Sequence, residues 1–235
     1  MAEALNALVW DQTGDRQFET GVSRGVLFPT LADGSGDYGT GVAWNGLTGV
    51  SEKPSGADAT PLYADNIKYL SLIAAEDFGA TIEAYTYPDE FAVCDGSADL
   101  GGVVTPVGLM VGQQTRRMFG LVYVTALGND VDDVAYGYKI HVIYGAKAAP
   151  SERAYKTIND KPEAITFSWT VTTTPVTVTG FKPTATLIID SSKFTTLEEK
   201  ARLALLEAAL FGGTDVPSLL TPDEILAILA PPVVG

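Results

Sequence analysis

The sequence predicts a mainly β protein that ends in helices, and three observations support this. Residues 119–127, 136–144 and 165–172 each alternate apolar side chains with smaller or more polar ones, which is the period of a strand. Tight-turn and loop residues separate these runs. Signals for helices of more than one turn appear only after residue 195. A period of two further predicts that each strand buries one of its faces and exposes the other.

The run at residues 165–172 divides most sharply into two faces. Its large apolar side chains are Ile165, Phe167, Trp169 and Val171. The positions between them all carry hydroxyl groups, namely Thr166, Ser168, Thr170 and Thr172. We expect the apolar row to lie in a core and the hydroxyl row to face a channel or a neighbouring molecule.

A candidate projection lies in the N-terminal half of the chain. Asn45–Gly46 is a strong signal for a tight turn. Trp44, Leu47 and Val50 lie between turn residues, where a monomer would have difficulty burying all three. We therefore expect a hairpin at about residues 40–65 to project and pack on another subunit. Tyr63 belongs to the same predicted interface, and the alternative is a hairpin folded back on its own domain.

Two further runs, residues 67–74 and 78–87, are interpreted as a pair of strands. Pro88 then begins a short helical turn, which Gly96 ends. We expect Cys94 within that turn to be a small buried hydrophobic residue rather than a nucleophile.

The C-terminal part predicts two helices. Thr196 and Glu199 form a capping box, and the helix they begin is expected to run to about Phe211. A second, shorter helix begins at Thr221, with Pro222 at its first position. The predicted apolar stripe of the first helix is Leu197, Ala201, Ala204, Leu205 and Ala208.

Composition limits the possible functions. The chain has 235 residues and a net charge of −14, with 15 basic and 29 acidic residues, so direct binding to nucleic acid is not expected. It lacks a basic and apolar N-terminal signal and an apolar run near 18 residues, so neither a cleaved signal nor a membrane span is expected. The single cysteine excludes an intramolecular disulfide and fits assembly in a reducing cytoplasm.

Few residues suggest reaction chemistry. His141 is the only histidine, and a lone strand histidine is more often structural than catalytic. A hydrolase would depend on His141 alone, since no nucleophile elbow is present, although triad members can meet from distant positions. One histidine and one cysteine are too few for a zinc cluster. We therefore expect no catalytic residue, no cofactor and no metal site.

Three carboxylates, Asp130, Asp132 and Asp133, crowd the loop between two predicted strands. A calcium loop of the EF-hand type would need glycine at its sixth position and glutamate at its twelfth. Ala135 and His141 occupy those positions. We expect a solvated acidic loop instead, and we include it among the predicted subunit contacts.

Longer blocks of sequence carry a family resemblance. They are GVAWNGLTGVSEKPSGAD…PLYADNIKYLSL (41–72), IEAYTYPDEFAVCDG (82–96), VGQQTRRMFGLVY (111–123), YGYKIHVIYGAKAAPSERAYKTINDKPEAITFSWTVTTTPV (136–176) and TGFKPTATLIIDS (179–191). Together they resemble the major tail tube proteins of long-tailed, non-contractile bacteriophages. The resemblance extends from about residue 5 to residue 191. On that basis we divide the chain into a tail-tube β-sandwich domain, residues 1–191, and a C-terminal helical arm, residues 192–235.

The resemblance implies two crossed antiparallel sheets, forming a sandwich or barrel with a flanking helix. It also implies hexameric rings that stack into the tail tube of a virion, after assembly in the host cytoplasm. Such a tube surrounds a tape-measure protein, meets tail-end proteins and later conducts DNA. An acidic lumen would let DNA pass without binding it. The family has no catalytic residues to transfer to this chain.

A second hypothesis is a carbohydrate- or receptor-binding β-sandwich module of a tail fibre or decoration protein. Such a module needs exposed aromatic side chains on one face. Tyr85, Tyr87, Tyr136 and Tyr138 could supply them, although packing in a core explains the same residues equally well.

Overall fold

The computed structural model describes residues 8–99, 108–158, 160 and 163–231. Strands dominate and the longer helices follow them, which confirms the predicted fold class. The strands are β1 (Gln17–Pro29), β2 (Val42–Trp44), β3 (Leu47–Glu52), β4 (Ser55–Gly56), β5 (Ala59–Ala64), β6 (Ile67–Ile73), β7 (Glu76–Asp77), β8 (Gly79–Ala84), β9 (Ala98–Asp99), β10 (Met110–Val111), β11 (Phe119–Asn129), β12 (Asp133–Ala148), β13 (Phe167–Thr173) and β14 (Thr186–Asp190). The helices are α1 (Ala92–Asp95), α2 (Leu197–Phe211) and α3 (Pro222–Leu229), with 3-10 turns at Asp89–Phe91 and Ser191–Lys193.

Eight strands form one antiparallel sheet in the order β2-β1-β11-β12-β13-β8-β3, with β14 also paired to β12. The long strand β12 changes partner along its length. Lys139 to Ile143 pair with β14, whereas Ala146 to Ala148 pair with β13. Gly145 lies between these two stretches with φ +58°, and a side chain there would collide with the carbonyl oxygen of Thr174. The sheet therefore divides at this point into two layers.

The turn at Asn45–Gly46 brings the two ends of this sheet together. It joins β2 to β3, which are the first and last strands in the sheet order. Gly46 has φ +78°, and its carbonyl accepts a hydrogen bond from the Tyr85 amide at 2.8 Å. Because two residues span the gap, the edge strands are neighbours in space, and the sheet curls into a barrel-like sandwich.

One core lies between the two layers and is rich in aromatic side chains. Trp44 contacts Phe91 and Trp169, with ring centroids 4.6 and 5.7 Å apart. Trp44 is only 3% exposed, and Leu47 and Val50 are partly buried against the same core. The expectation that a monomer would leave these three residues on a projecting hairpin is therefore wrong. The sheet ends close over them because the turn at residues 45–46 folds β3 back across β2.

A second core lies on the opposite face of β1, β11 and β12, where α2 and α3 cover the sheet. Val142 and Tyr144 pack there with Leu206, Leu210 and Ile225. Every residue of β12 from 140 to 146 is buried, so the expectation of one exposed face is wrong for this strand. The helices of the predicted C-terminal arm therefore share a core with the sheet, and the division of the chain at residue 191 stays a prediction.

Both C-terminal helices begin as predicted. Each has a complete capping box, formed by Thr196 with Glu199 and by Thr221 with Glu224. The predicted apolar stripe of α2 is wrong, because Leu197 and Leu205 are exposed. The buried stripe is Leu203, Leu206 and Leu210. Three leucines bury more apolar area than a stripe made mostly of alanine, and this difference orients the helix.

The predicted helical turn after Pro88 is also confirmed. The 3-10 turn leads directly into α1, and Gly96 ends the helix with φ +81°. Cys94 is fully buried, and burial raises the pKa of its thiol to about 12. It therefore packs as a hydrophobic residue, as predicted, and is a poor nucleophile.

A two-stranded ribbon, residues 55–77, projects from the sandwich. β4 pairs with β7 at its base, and β5 pairs with β6 beyond it. The connecting turn has positive φ at both Asp65 and Asn66, as a type I′ hairpin turn requires. The predicted pairing of residues 67–74 with 78–87 is wrong, since β8 pairs with β13 and β3. The projection also begins later than the expected residues 40–65.

Candidate assembly surface

The ribbon carries an unusual amount of exposed apolar side chain. All of β5 is exposed, and Ser71 is the one residue of β6 that is not. The exposed large side chains are Leu62, Tyr63, Ile67, Tyr69, Leu70, Leu72 and Ile73. A contiguous apolar patch on a folded protein usually marks an interaction site.

The strand register places three of these side chains on one face. Leu62 is opposite Leu70, and Leu72 is opposite Thr60. Directly opposed residues, and those two positions away, point to the same side of a ribbon. An isolated two-stranded ribbon is marginally stable in water, so a leucine face of this kind requires a partner.

A polar cluster lies where the ribbon joins the body. Its centre is His141 on β12, whose side chain is 9% exposed. The ring stacks on Tyr123 of β11, with centroids 4.6 Å apart and planes 6° apart. Nε2 lies 3.3 Å from Glu19 Oε1, and Nδ1 lies 3.4 Å from Glu52 Oε1. Glu52 is the last residue of β3, three positions before the ribbon begins.

Hydrogen bonds from the neighbouring strands complete this cluster. The Tyr123 hydroxyl donates to Glu52 Oε1 at 2.7 Å. The Thr125 hydroxyl donates to Glu19 Oε1 at 2.5 Å, and Lys139 Nζ contacts Glu19 Oε2 at 2.6 Å. The Thr125 hydroxyl oxygen also lies 3.0 Å from His141 Nε2.

The cluster changes the acidity of its members. The contact with His141 lowers the pKa of Glu52, against the opposing effect of burial and with help from Tyr123. Burial alone would raise the pKa of Glu19, but the contacts with Lys139 and Thr125 outweigh it, so that pKa is lowered. Burial, reinforced by Glu52, raises the pKa of Tyr123. Both glutamates are therefore held in their charged form.

The predicted acidic loop is tied to the N-terminal segment. Asp130 accepts a hydrogen bond from the Gly14 amide at 2.9 Å and lies 3.5 Å from Arg16 Nη1. Asp132 accepts from the Asn129 side chain, and Asp133 begins β12 with φ +50°. Across the described ranges, no group of three or more metal-type ligands is arranged to hold an ion. Contact of this loop with another subunit stays a prediction.

The two faces of β13 are arranged as the alternation predicts. Trp169 and Val171 are buried, whereas Thr170 and Thr172 are exposed. Thr166 precedes the strand and is exposed, and Ser168 is half-buried. Whether the hydroxyl row faces a lumen or a neighbour stays a prediction.

The predicted site residues thus fall in separate places. Trp44 is in the core, Tyr63 is exposed beside the ribbon turn, and the acidic loop is at the β11–β12 turn. The leucine face of the ribbon was not predicted. Its signal is the Asp65–Asn66 turn flanked by two apolar runs that can pair with each other.

An ion pair between the buried Asp95 and the half-buried Arg153 was also not predicted. Arg153 contacts the Asp95 carboxylate, and Trp169 Nε1 donates to the same carboxylate at 3.1 Å. Arg116 Nη2 donates to the Asp95 carbonyl at 2.9 Å. These contacts fix the segment after β12 against the core. Arg153 and Trp169 are 58 and 74 residues from Asp95 along the chain, so no local sequence pattern indicates these contacts.

Neither the family models nor the curated proteins contain a match. Among solved structures, one chain of the anti-feeding prophage (AFP) baseplate, from a six-fold symmetrised cryo-EM structure, is similar at TM-score 0.33 and 7% identity. The similarity covers 71% of this chain and 92% of that chain, and likeness at this level does not define a function. Within the described ranges, no helix has the length and apolarity needed to cross a membrane.

Proposed function

We propose that this protein is a structural subunit that assembles with copies of itself into the tail tube of a long-tailed, non-contractile bacteriophage. The observation that carries the proposal is the projecting ribbon with its exposed leucine face. The body has two complete cores without the ribbon, so the apolar side chains of residues 59–73 are not needed to fill it.

Burial against a second copy gives this surface a thermodynamic role. Burying a leucine or isoleucine side chain contributes roughly 1.5–3 kcal/mol, so several such residues can drive association. A surface repeated on identical subunits can build a closed ring or a stack. Hexameric rings stacked into a tube are the arrangement that the sequence resemblance implies, and the ribbon supplies a surface for it.

The negative net charge of the chain is consistent with a tube through which DNA passes. A net charge of −14 disfavours binding to phosphate, so DNA would pass through an acidic lumen without adhering. The hydroxyl row of Thr166, Ser168, Thr170 and Thr172 is the surface we assign to the lumen or to a neighbouring subunit. The partners of the tube are the tape-measure protein and the tail-end proteins. The role is non-enzymatic, with assembly in the host cytoplasm and a final place in the virion tail.

A groove beside α2 favours a second candidate, a carbohydrate- or receptor-binding module. This cavity has a volume of about 410 Å³ and is lined by residues that include Tyr136, Tyr138 and Phe194, with Ser191 and Lys200 as polar groups. Aromatic rings next to polar groups suit a sugar ring. Binding of glycans by a protein that stays monomeric would favour this function over a tube.

Electron microscopy and sedimentation velocity of the full chain test the main proposal. We expect rings or tubes. The variant Leu62→Asp/Leu72→Asp should remain monomeric because it places charges on the leucine face. The matched control is Leu197→Asp/Leu205→Asp, which changes two exposed leucines of α2 and should still assemble. A wild-type protein that stays monomeric under all conditions would overturn the proposal.

A further inference from the structure

The position of His141 between two carboxylates has a consequence for the base of the ribbon. A neutral imidazole has one N–H and one lone pair, so it can donate to only one acceptor. Here Glu19 Oε1 is 3.3 Å from Nε2, and Glu52 Oε1 is 3.4 Å from Nδ1. Nδ1 is buried and makes no hydrogen bond to the described residues. With a neutral ring, one nitrogen lone pair faces a carboxylate oxygen.

The charges of the cluster balance only when His141 carries a proton on both nitrogens. Glu19 already has Lys139 as a cationic partner on β12. Glu52 accepts a hydrogen bond from the neutral Tyr123 hydroxyl. Among the described residues, the basic group within ion-pair distance of Glu52 is His141. Thr125 is the remaining polar group that faces the ring, at 3.0 Å from Nε2. A neutral imidazole therefore leaves the Glu52 carboxylate, whose side chain is 30% exposed, without a counter-ion.

Glu52 connects this charge to the ribbon. It ends β3, and the next residue, Lys53, donates its amide to the Gly79 carbonyl at 2.7 Å. β4 begins at Ser55. The Glu52 side chain therefore holds the point at which the ribbon leaves the sandwich.

We propose that His141 forms a proton-dependent link between the body and the base of the ribbon. The imidazolium bridges Glu19 on β1 to Glu52 on β3 and fixes the direction in which the ribbon leaves the body. Loss of the proton removes the positive charge that faces Glu52 and loosens the base, while the Tyr123 hydroxyl still donates to Glu52. The consequence for self-assembly rests on the proposed function, whereas the local loosening does not.

The sign of the effect follows from the groups involved. Between about pH 5 and 8, histidine is the side chain whose charge ordinarily changes. The link is present when the glutamates are ionised and His141 is protonated, so it weakens as pH rises through the histidine transition. It also weakens in strong acid, when the glutamates become protonated. The contact between His141 and Glu52 is therefore strongest at a pH between these two transitions.

The single histidine makes the protonation state directly observable. Nitrogen-15 labelling of histidine gives one pair of ring signals, which can be followed from pH 5.5 to 9 on the monomeric variant Leu62→Asp/Leu72→Asp. Amide hydrogen exchange of Lys53 is measured in parallel, with the Tyr85 amide as the internal reference for base-catalysed exchange. We expect Lys53 protection to fall on the order of tenfold across the histidine transition, as for loss of a hydrogen bond to a charged group.

Substitutions separate the link from a general effect of pH. Glu52→Gln removes the carboxylate that faces Nδ1 and should therefore remove the pH-dependent change at Lys53. Glu83→Gln, which changes an exposed glutamate on β8, is the control and should keep the pH-dependent change at Lys53. A Lys53 amide whose protection is constant across the wild-type transition would overturn the proposal, as would a pH-dependent change at Lys53 that Glu52→Gln leaves in place. If the wild-type chain never assembles, the proposed function is wrong. The hydrogen-exchange measurement still tests the link between His141 and Glu52, because it is made on a monomer.

Discussion

Strand β12 and ribbon strand β6 are both rich in apolar side chains, yet their environments are opposite. β12 is buried on both faces from residue 140 to residue 146. β6 is exposed at every position except Ser71. The difference lies in what the rest of the chain supplies. α2 and α3 cover one face of β12 and the second sheet layer covers the other, whereas no described element covers β6 in this way.

This contrast separates two uses of apolar surface. In β12 an apolar side chain stabilises the monomer, so its removal lowers the free energy of unfolding. In the ribbon an apolar side chain contributes little to the isolated subunit and is available for association. Substitutions in β12 should therefore change the free energy of unfolding, whereas substitutions in the ribbon should change self-association.

Trp44→Ala should have the largest effect on stability. The indole packs on Phe91 and Trp169 in the core between the layers, and its Nε1 donates to the Thr86 carbonyl at 3.0 Å. We expect a loss of about 3–5 kcal/mol in the free energy of unfolding, measured by urea denaturation. The matched control is Trp10→Ala. Trp10 is 73% exposed, so this substitution should lower the free energy of unfolding much less. If Trp44→Ala is as stable as the wild type but fails to assemble, Trp44 is a subunit-contact residue rather than a core residue.

Asp95→Asn should have the next largest effect. The substitution removes the charge that pairs with Arg153 while keeping an oxygen for Trp169. Loss of a hydrogen bond to a charged group predicts a cost of roughly 1.5–3 kcal/mol in urea unfolding. Glu198→Gln is the comparison, since the Glu198 carboxylate of the Arg202–Glu198 pair is 64% exposed. An exposed pair contributes about 0–1 kcal/mol, so equal costs for the two variants would contradict a core role for Asp95.

Local signals in the sequence predicted the elements well. The capping boxes at Thr196 and Thr221 depend on residues three positions apart, and both helices begin there. The positive φ of Gly96 similarly ends α1. Such features are visible from sequence because the interacting groups are close along the chain.

Pairing and burial could not be predicted in the same way, because they depend on distant residues. β8 pairs with β13 rather than with its sequence neighbour β6. Trp44 is buried because β2 and β3 are the two ends of one sheet, which no local pattern reveals. α2 carries two candidate stripes, and only the layer beneath it selects Leu206 and Leu210 over Leu205. The ribbon was placed too early in the chain for the same reason.

Acid should weaken the body at the cluster around His141. The contact with His141 lowers the pKa of Glu52 below its ordinary value of 4.5, and contacts with Lys139 and Thr125 lower that of Glu19 despite burial. A lowered folded-state pKa stabilises the fold above pH 4.5, and this stabilisation is lost as pH falls through the folded value. Urea unfolding between pH 7 and 3 measures the loss. Glu52→Gln should flatten this dependence and Glu83→Gln should not, so identical slopes would contradict the assignment.

Tyr63→Ala should have the smallest effect on stability and a large effect on assembly. Tyr63 is 71% exposed beside the ribbon turn, so its removal should change the free energy of unfolding by no more than about 0.5 kcal/mol. Aromatic side chains at an interface often contribute more than 1 kcal/mol to association, so the concentration needed for assembly should rise several-fold. Tyr155 is 72% exposed in the segment after β12 and provides a control of equal exposure. If Tyr63→Ala and Tyr155→Ala assemble at the same concentration, the ribbon tip makes no contact between subunits. If Tyr63→Ala instead unfolds more easily, the ribbon packs on its own body and the contrast with β12 disappears.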